Sequence, residues 1–133
     1  EVCIAYDLDC QKQPGKSICA AYRSAPYFEF YEADLEYFYQ EKTVLLFDFN
    51  LSLLTQIMAL LDLSFSYEIV RWNPNKQKRM DHLIVAKSQE AENFQTYTQV
   101  FETKFGFIPN LSILDVLFNL GPNSGTYFKK VFE

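Results

Sequence analysis

Apolar side chains recur at helical spacing across residues 26–40, where Phe28, Tyr31, Leu35 and Phe38 share one face and Glu29, Glu32 and Glu36 another. This period predicts an amphipathic helix with an acidic wet face, opened by Pro26 in its first turn with Ser24 near its free amides. Residues 51–61 predict a second helix with Asn50 as cap. Residues 111–120 predict a third, entered through Pro109 and Asn110 and closed by Gly121 and Pro122. Shorter helices are predicted over 17–23, after a turn signal at 9–15, and over 80–86. Two more fall over 97–105, stopped by Gly106, and over 123–132, where Lys129 and Lys130 suit the C-terminal dipole.

Three stretches carry strand signals instead. Val2, Ile4 and Tyr6 alternate with Cys3 and Ala5, residues 44–49 form a short apolar run, and Phe65, Tyr67 and Ile69 alternate with Ser64, Ser66 and Glu68 up to a turn around Pro74. The predicted class is therefore α+β, predominantly helical, with several short helices packed around one core and a few short strands. At 133 residues, 49% of them apolar, the chain is long enough for one domain with one core. The four glycines are too few for a turn-dense β sandwich.

Charge narrows the partners. A net charge of -5 argues against a nucleic-acid footprint, which needs a clustered surplus of Lys and Arg. Residues 27–41 alone hold five carboxylates and no base, so the rest of the chain balances near neutrality. The longest apolar stretch, 43–63, is interrupted by Asp48, Asn50 and Asp62 and cannot span a bilayer. Cys3, Cys10 and Cys19 form no CxxC pair, and with His82 they match no zinc module, so the thiols are expected free and the location cytoplasmic.

Polar side chains on apolar helices are the candidates for chemistry. Ser112, Asp115 and Asn119 lie at i, i+3 and i+7 on the third helix. They read either as a capping box with a satisfied helix end, or as a pocket wall in which Asp115 orients or deprotonates a substrate group and the helix start at Asn110 attracts an anion. Ser52, Thr55 and Gln56 make a similar stripe without a carboxylate, which capping and helix contacts explain more simply. Arg71, Lys76, Lys78 and Arg79 flank Trp72 and Pro74, a solvated face or the contact for a small anionic ligand. Glu29, Glu32 and Glu36 are spaced as surface, not as the paired acids of a glycosidase. No P-loop, GxGxxG, HExxH or GxSxG occurs, and no cofactor or metal is implied.

The run FGFIPNLSILDVLFNLGP at 105–122, with AAYRSAPYFEFY at 20–31 and LFDFNL at 46–51 in the same order, resembles the WbqC-like family of bacterial proteins. The resemblance implies a longer protein of which this chain is the C-terminal part, although QKQPGK at 11–16 stands where the family tends to carry an aromatic residue and a histidine. It also implies a role in assembling bacterial surface polysaccharide, with transfer of an acyl or aminoacyl group to a sugar. The partner would be a nucleotide sugar or acyl donor. Tyr22, Arg23, Asn110, Ser112, Asp115 and Asn119 are the matching polar positions, to which Arg71 adds a basic candidate from the loop. The rival reading is a helical interaction module docking through aromatic side chains such as Tyr27, Tyr37 and Tyr39. In either case apolar surface meant for an absent half favours self-association.

Overall fold

A computed structural model describes residues 2–6, 12–40, 42–75, 78 and 94–132. Its helices are α1 (Lys12–Tyr22), α2 (Phe28–Gln40), α3 (Leu46–Leu60), α4 (Glu102–Phe105), α5 (Ile113–Leu120) and α6 (Ser124–Phe132). A 3-10 turn, Gly121–Asn123, joins the last two. The expected helix over 80–86 lies outside the described residues, as do Cys10, His82, Lys76 and Arg79.

Helix α1 starts earlier than its turn signals imply. Pro14 falls in the first turn, where a missing N–H costs nothing because no intrahelical acceptor awaits it. Gly15 faces α2, where an added Cβ would meet the Tyr39 ring at an ordinary 3.5 Å. Helix α2 buries Phe28, Tyr31, Leu35 and Phe38, the stripe its period predicts, and begins two residues after Pro26. The Tyr27 N–H there donates to the Phe118 carbonyl at 3.0 Å, so the chain between α1 and α2 is tied to α5.

Helix α3 departs most from expectation. It begins at Leu46, absorbing the residues read as a strand, and Asn50 is an interior residue and not a cap. A short apolar run such as 44–49 fits either period, and here the helix wins because only Leu45 finds a β partner, in a single antiparallel bridge to Cys3. The helix ends at Asp62 (φ 53°), where Asp62 N–H reaches Ala59 O and Leu63 N–H reaches Met58 O. This Schellman closure has aspartate in the left-handed position usually held by glycine.

Among the described residues there is no strand, so the expected strands at 2–6, 44–49 and 65–69 are corrected. Residues 64–72 form neither helix nor ladder, because alternation prepares a strand but only a neighbour completes one. The helix expected over 97–105 shrinks to α4, because 94–99 is not helical and Tyr97 and Gln99 there bond to Asp115 of α5.

The core is one cluster in which Phe28, Tyr31 and Leu35 of α2 meet Ile57 and Leu61 of the α3 end and Leu117 and Phe118 of α5. Phe118 stands at its centre, its ring 5.1 Å from those of both Tyr22 and Phe28. Gly125 brings α6 onto the end of α3 so closely that a Cβ would meet the Leu61 carbonyl oxygen at 2.1 Å. Beside it, fully buried Ser124 donates its hydroxyl to Val116 O at 3.1 Å. No helix among the described residues is long and apolar enough to cross a membrane.

Candidate functional site

Helix α5 carries Asp115 in its first turn, on the face turned inward, where it is only 3% exposed. Its neighbours are donors. Tyr97 Oη donates to Asp115 Oδ2 at 2.6 Å, Gln99 Nε2 lies 3.3 Å from the same oxygen, and the Tyr22 hydroxyl adds a further bond. Gln99 also exchanges hydrogen bonds with the backbone of Ile108, N–H to Oε1 and Nε2 to the carbonyl, each 2.9 Å. These bonds fasten 97–99 and 108 to α5, in the order a buried carboxyl requires, since an unpaired one would be strongly destabilising.

The two phenols respond to that setting. Burial, then the Asp115 charge and hydrogen bond, push the Tyr22 hydroxyl up to about 12. Tyr97 is raised as well, by burial first and its bond to Asp115 second. Both hydroxyls therefore stay protonated as donors at neutral pH.

Tyr22 packs its ring against Phe118, which in turn lines an open cleft of about 970 Å³. Phe118 and Phe28 form its floor, and α1 and α2 its walls. Lys16 from α1, Arg23 just past its end and Lys42 beyond α2 bring three cations into the same lining as Glu32 and Glu36 from the acidic stripe of α2. Both carboxylates already accept hydrogen bonds, Glu32 from Cys19 Sγ at 3.5 Å and Glu36 from Gln40 Nε2 at 2.8 Å. Burial, reinforced by Glu32, holds the Cys19 thiol above its ordinary range, which keeps it protonated. Tyr6 and Tyr39 complete the rim, with Lys42 Nζ 5.7 Å from the centre of the Tyr6 ring.

The predicted site residues thus divide. Arg23 lines the cleft, while Tyr22 and Asp115 meet behind its floor. Ser112 caps α5 by accepting from Leu114 N–H at 3.2 Å, but Asp115 does not complete a capping box, because its carboxyl is turned to Tyr97. Asn119 donates back to the Asp115 carbonyl at 2.8 Å. Asn110 is exposed with φ 55°, two residues before the cap, and Arg71 is exposed on the irregular stretch after α3. None of these last four lines the cleft. Of the aromatic side chains considered for docking, Tyr37 is exposed, while Tyr27 covers Gly121 and Tyr39 packs on Gly15.

Sequence reasoning missed Lys16, Lys42, Tyr97 and Gln99. The cations stand on separate elements with no shared period, and Tyr97 and Gln99 alternate at i, i+2 within a stretch read as helix. Among the described residues, no group of His, Cys, Asp and Glu is placed to hold a metal ion.

Fold and site together describe a helical chain whose described residues form an open cleft of mixed charge. The chain belongs to the WbqC-like protein family, whose model matches residues 1–97 and 84–127, most of its length. Neither a curated protein nor a solved structure matches it significantly.

Proposed function

We propose that this chain works in the assembly of bacterial surface polysaccharide, as part of a protein that transfers an acyl or aminoacyl group to a sugar. In this reading the α1–α2 cleft receives the anionic donor, a nucleotide sugar or an acyl carrier bearing phosphates. The observation that carries it is the convergence of Lys16, Arg23 and Lys42 with the aromatic rims of Tyr6 and Tyr39 in one cavity. Cations bind phosphate oxygens, with Arg able to do so through two parallel N–H bonds, and aromatic faces hold a base or a sugar ring. The volume, about 970 Å³, lies near the upper end for small-molecule pockets and suits a ligand of that size. Glu32 and Glu36, which accept from Cys19 and Gln40, share the lining with the three cations, so an anion is expected to seat on the cations and away from the two carboxylates.

Tyr22 and Asp115 act here as positioning residues, since the Tyr22 ring supports Phe118 from behind and its hydroxyl is anchored on Asp115. The test is an NMR titration of the whole chain with uridine diphosphate N-acetylglucosamine and, separately, acetyl-coenzyme A. One of them should shift amides of α1 and α2. Exposed Arg23, replaced by Ala, should weaken that binding about tenfold without unfolding the chain. Absence of shifts with both ligands at about 1 mM, an affinity worth only about 4 kcal/mol, would overturn the donor reading.

A further inference from the structure

A second groove, of about 620 Å³, runs between α2 and α3 and shares no lining residue with the first cleft. Taken alone, the stripe of Ser52, Thr55 and Gln56 on α3 lacks a carboxylate. The fold supplies one, because α2 packs beside α3 and brings Asp34 to the same groove. It also brings two aromatic rings to the groove, Tyr37 from α2 and Tyr67 from the irregular stretch after α3.

These rings are exposed yet held. Tyr37 is 61% exposed and Tyr67 58% exposed, but Tyr37 rests edge-on against buried Phe38 and Tyr67 stacks on Phe65 with ring centres 5.9 Å apart. Each ring therefore keeps much of its surface open to a ligand. The Thr55 hydroxyl donates to Leu51 O at 2.8 Å and so meets the groove as an acceptor. Asp34 adds acceptors, and the Gln56 amide adds both kinds of group.

The chemistry selects a class of ligand. Among the described residues no Lys or Arg lines this groove, and its one charge is negative, so an anion is disfavoured. A pyranose presents apolar C–H faces to aromatic rings and, at its rim, hydroxyls that both donate and accept. We infer that the α2–α3 groove is a binding site for a neutral saccharide, with Tyr37 and Tyr67 stacking on ring faces and Asp34, Ser52, Thr55 and Gln56 holding hydroxyls. This does not rest on the donor reading of the first cleft, and either can fail alone.

The experiment is an NMR titration of the full chain with methyl glycosides of glucose, galactose and N-acetylglucosamine and with their disaccharides, using inorganic phosphate as the charged comparison. At least one saccharide should shift the amides of residues 34–37, 52–56 and 67 and leave those of α1 unchanged, while phosphate leaves the groove unchanged. Tyr37→Ala and Tyr67→Ala, both at exposed positions, should each weaken binding about fivefold, and Tyr37→Phe should retain it. Asp34→Asn should weaken it about tenfold. No saccharide shift up to about 50 mM, shifts that survive both alanine substitutions, or a preference for phosphate would each overturn the proposal.

Discussion

Asp115 gathers two phenols and the Gln99 amide around one buried carboxyl, and because phenols titrate in alkali the consequence is readable at high pH. Tyr22 is raised from an ordinary value near 10 to about 12, by burial first and the Asp115 charge second. A phenol that binds its proton more tightly when folded gives stability that is complete below the unfolded value. That stability is lost as pH climbs toward the folded one. Tyr97 is raised by the same causes and adds in the same direction. Urea unfolding midpoints should therefore hold level from pH 7 to about 9.5 and fall between about 10 and 12. Tyr22→Phe should flatten part of that fall while lowering stability at neutral pH, because Asp115 loses a donor. A level midpoint through pH 11 would show that the phenols are not held as described. Asp115 itself was legible in the sequence as a polar residue on an apolar helix. Its partners were not, because Tyr97 and Gln99 come from a segment whose local pattern matched a helix and whose conformation is fixed by contact with α5.

Whole elements show the same division between local and non-local causes. The buried stripe of α2 and the glycine-closed end of α5 were readable, because a period and a stop signal are properties of neighbouring residues. The start of α3 was not, since the run Leu45 to Phe49 suits either period and only the fold decides. Two glycines make the packing between elements testable. At Gly125 an added methyl would meet the Leu61 carbonyl at 2.1 Å, a backbone atom that cannot swing aside, whereas at Gly15 it would touch the Tyr39 ring at an ordinary 3.5 Å. Alanine gains about 1 kcal/mol over glycine inside a helix, against a cost of about 3 kcal/mol for forcing a close-packed contact apart. Gly125→Ala should thus destabilise the protein by roughly 2 kcal/mol in urea denaturation, and Gly15→Ala should leave stability unchanged or raise it by up to about 1 kcal/mol. Equal responses at the two sites would mean that α6 does not approach α3 as closely as the fold requires.

For the molecule as a whole, order should be graded, with the tight junction of α2, α3 and α5 at one end and the irregular stretch after α3 at the other. Phe118 and Leu117 are fully buried, and at the start of α5 Ser112 accepts from both Leu114 N–H and Asp115 N–H. By contrast Tyr67, Ile69, Val70 and Trp72 are all more than half exposed, and the alternation that marks 65–69 as a strand finds no ladder among the described residues. Backbone amides open to water exchange their hydrogens freely, while those in a packed helix exchange only when the core opens. Hydrogen exchange at neutral pH should accordingly leave the amides of residues 117–120 as the slowest in the chain and those of 65–71 close to unprotected rates. Adding a saccharide that fills the α2–α3 groove should slow exchange at Tyr67 and its neighbours while α5 stays as it was, because the ligand would bridge that stretch to α2. Strong protection at 65–71 without any ligand would reveal a pairing partner that the described residues lack. The alternation seen in the sequence would then have foretold a strand after all.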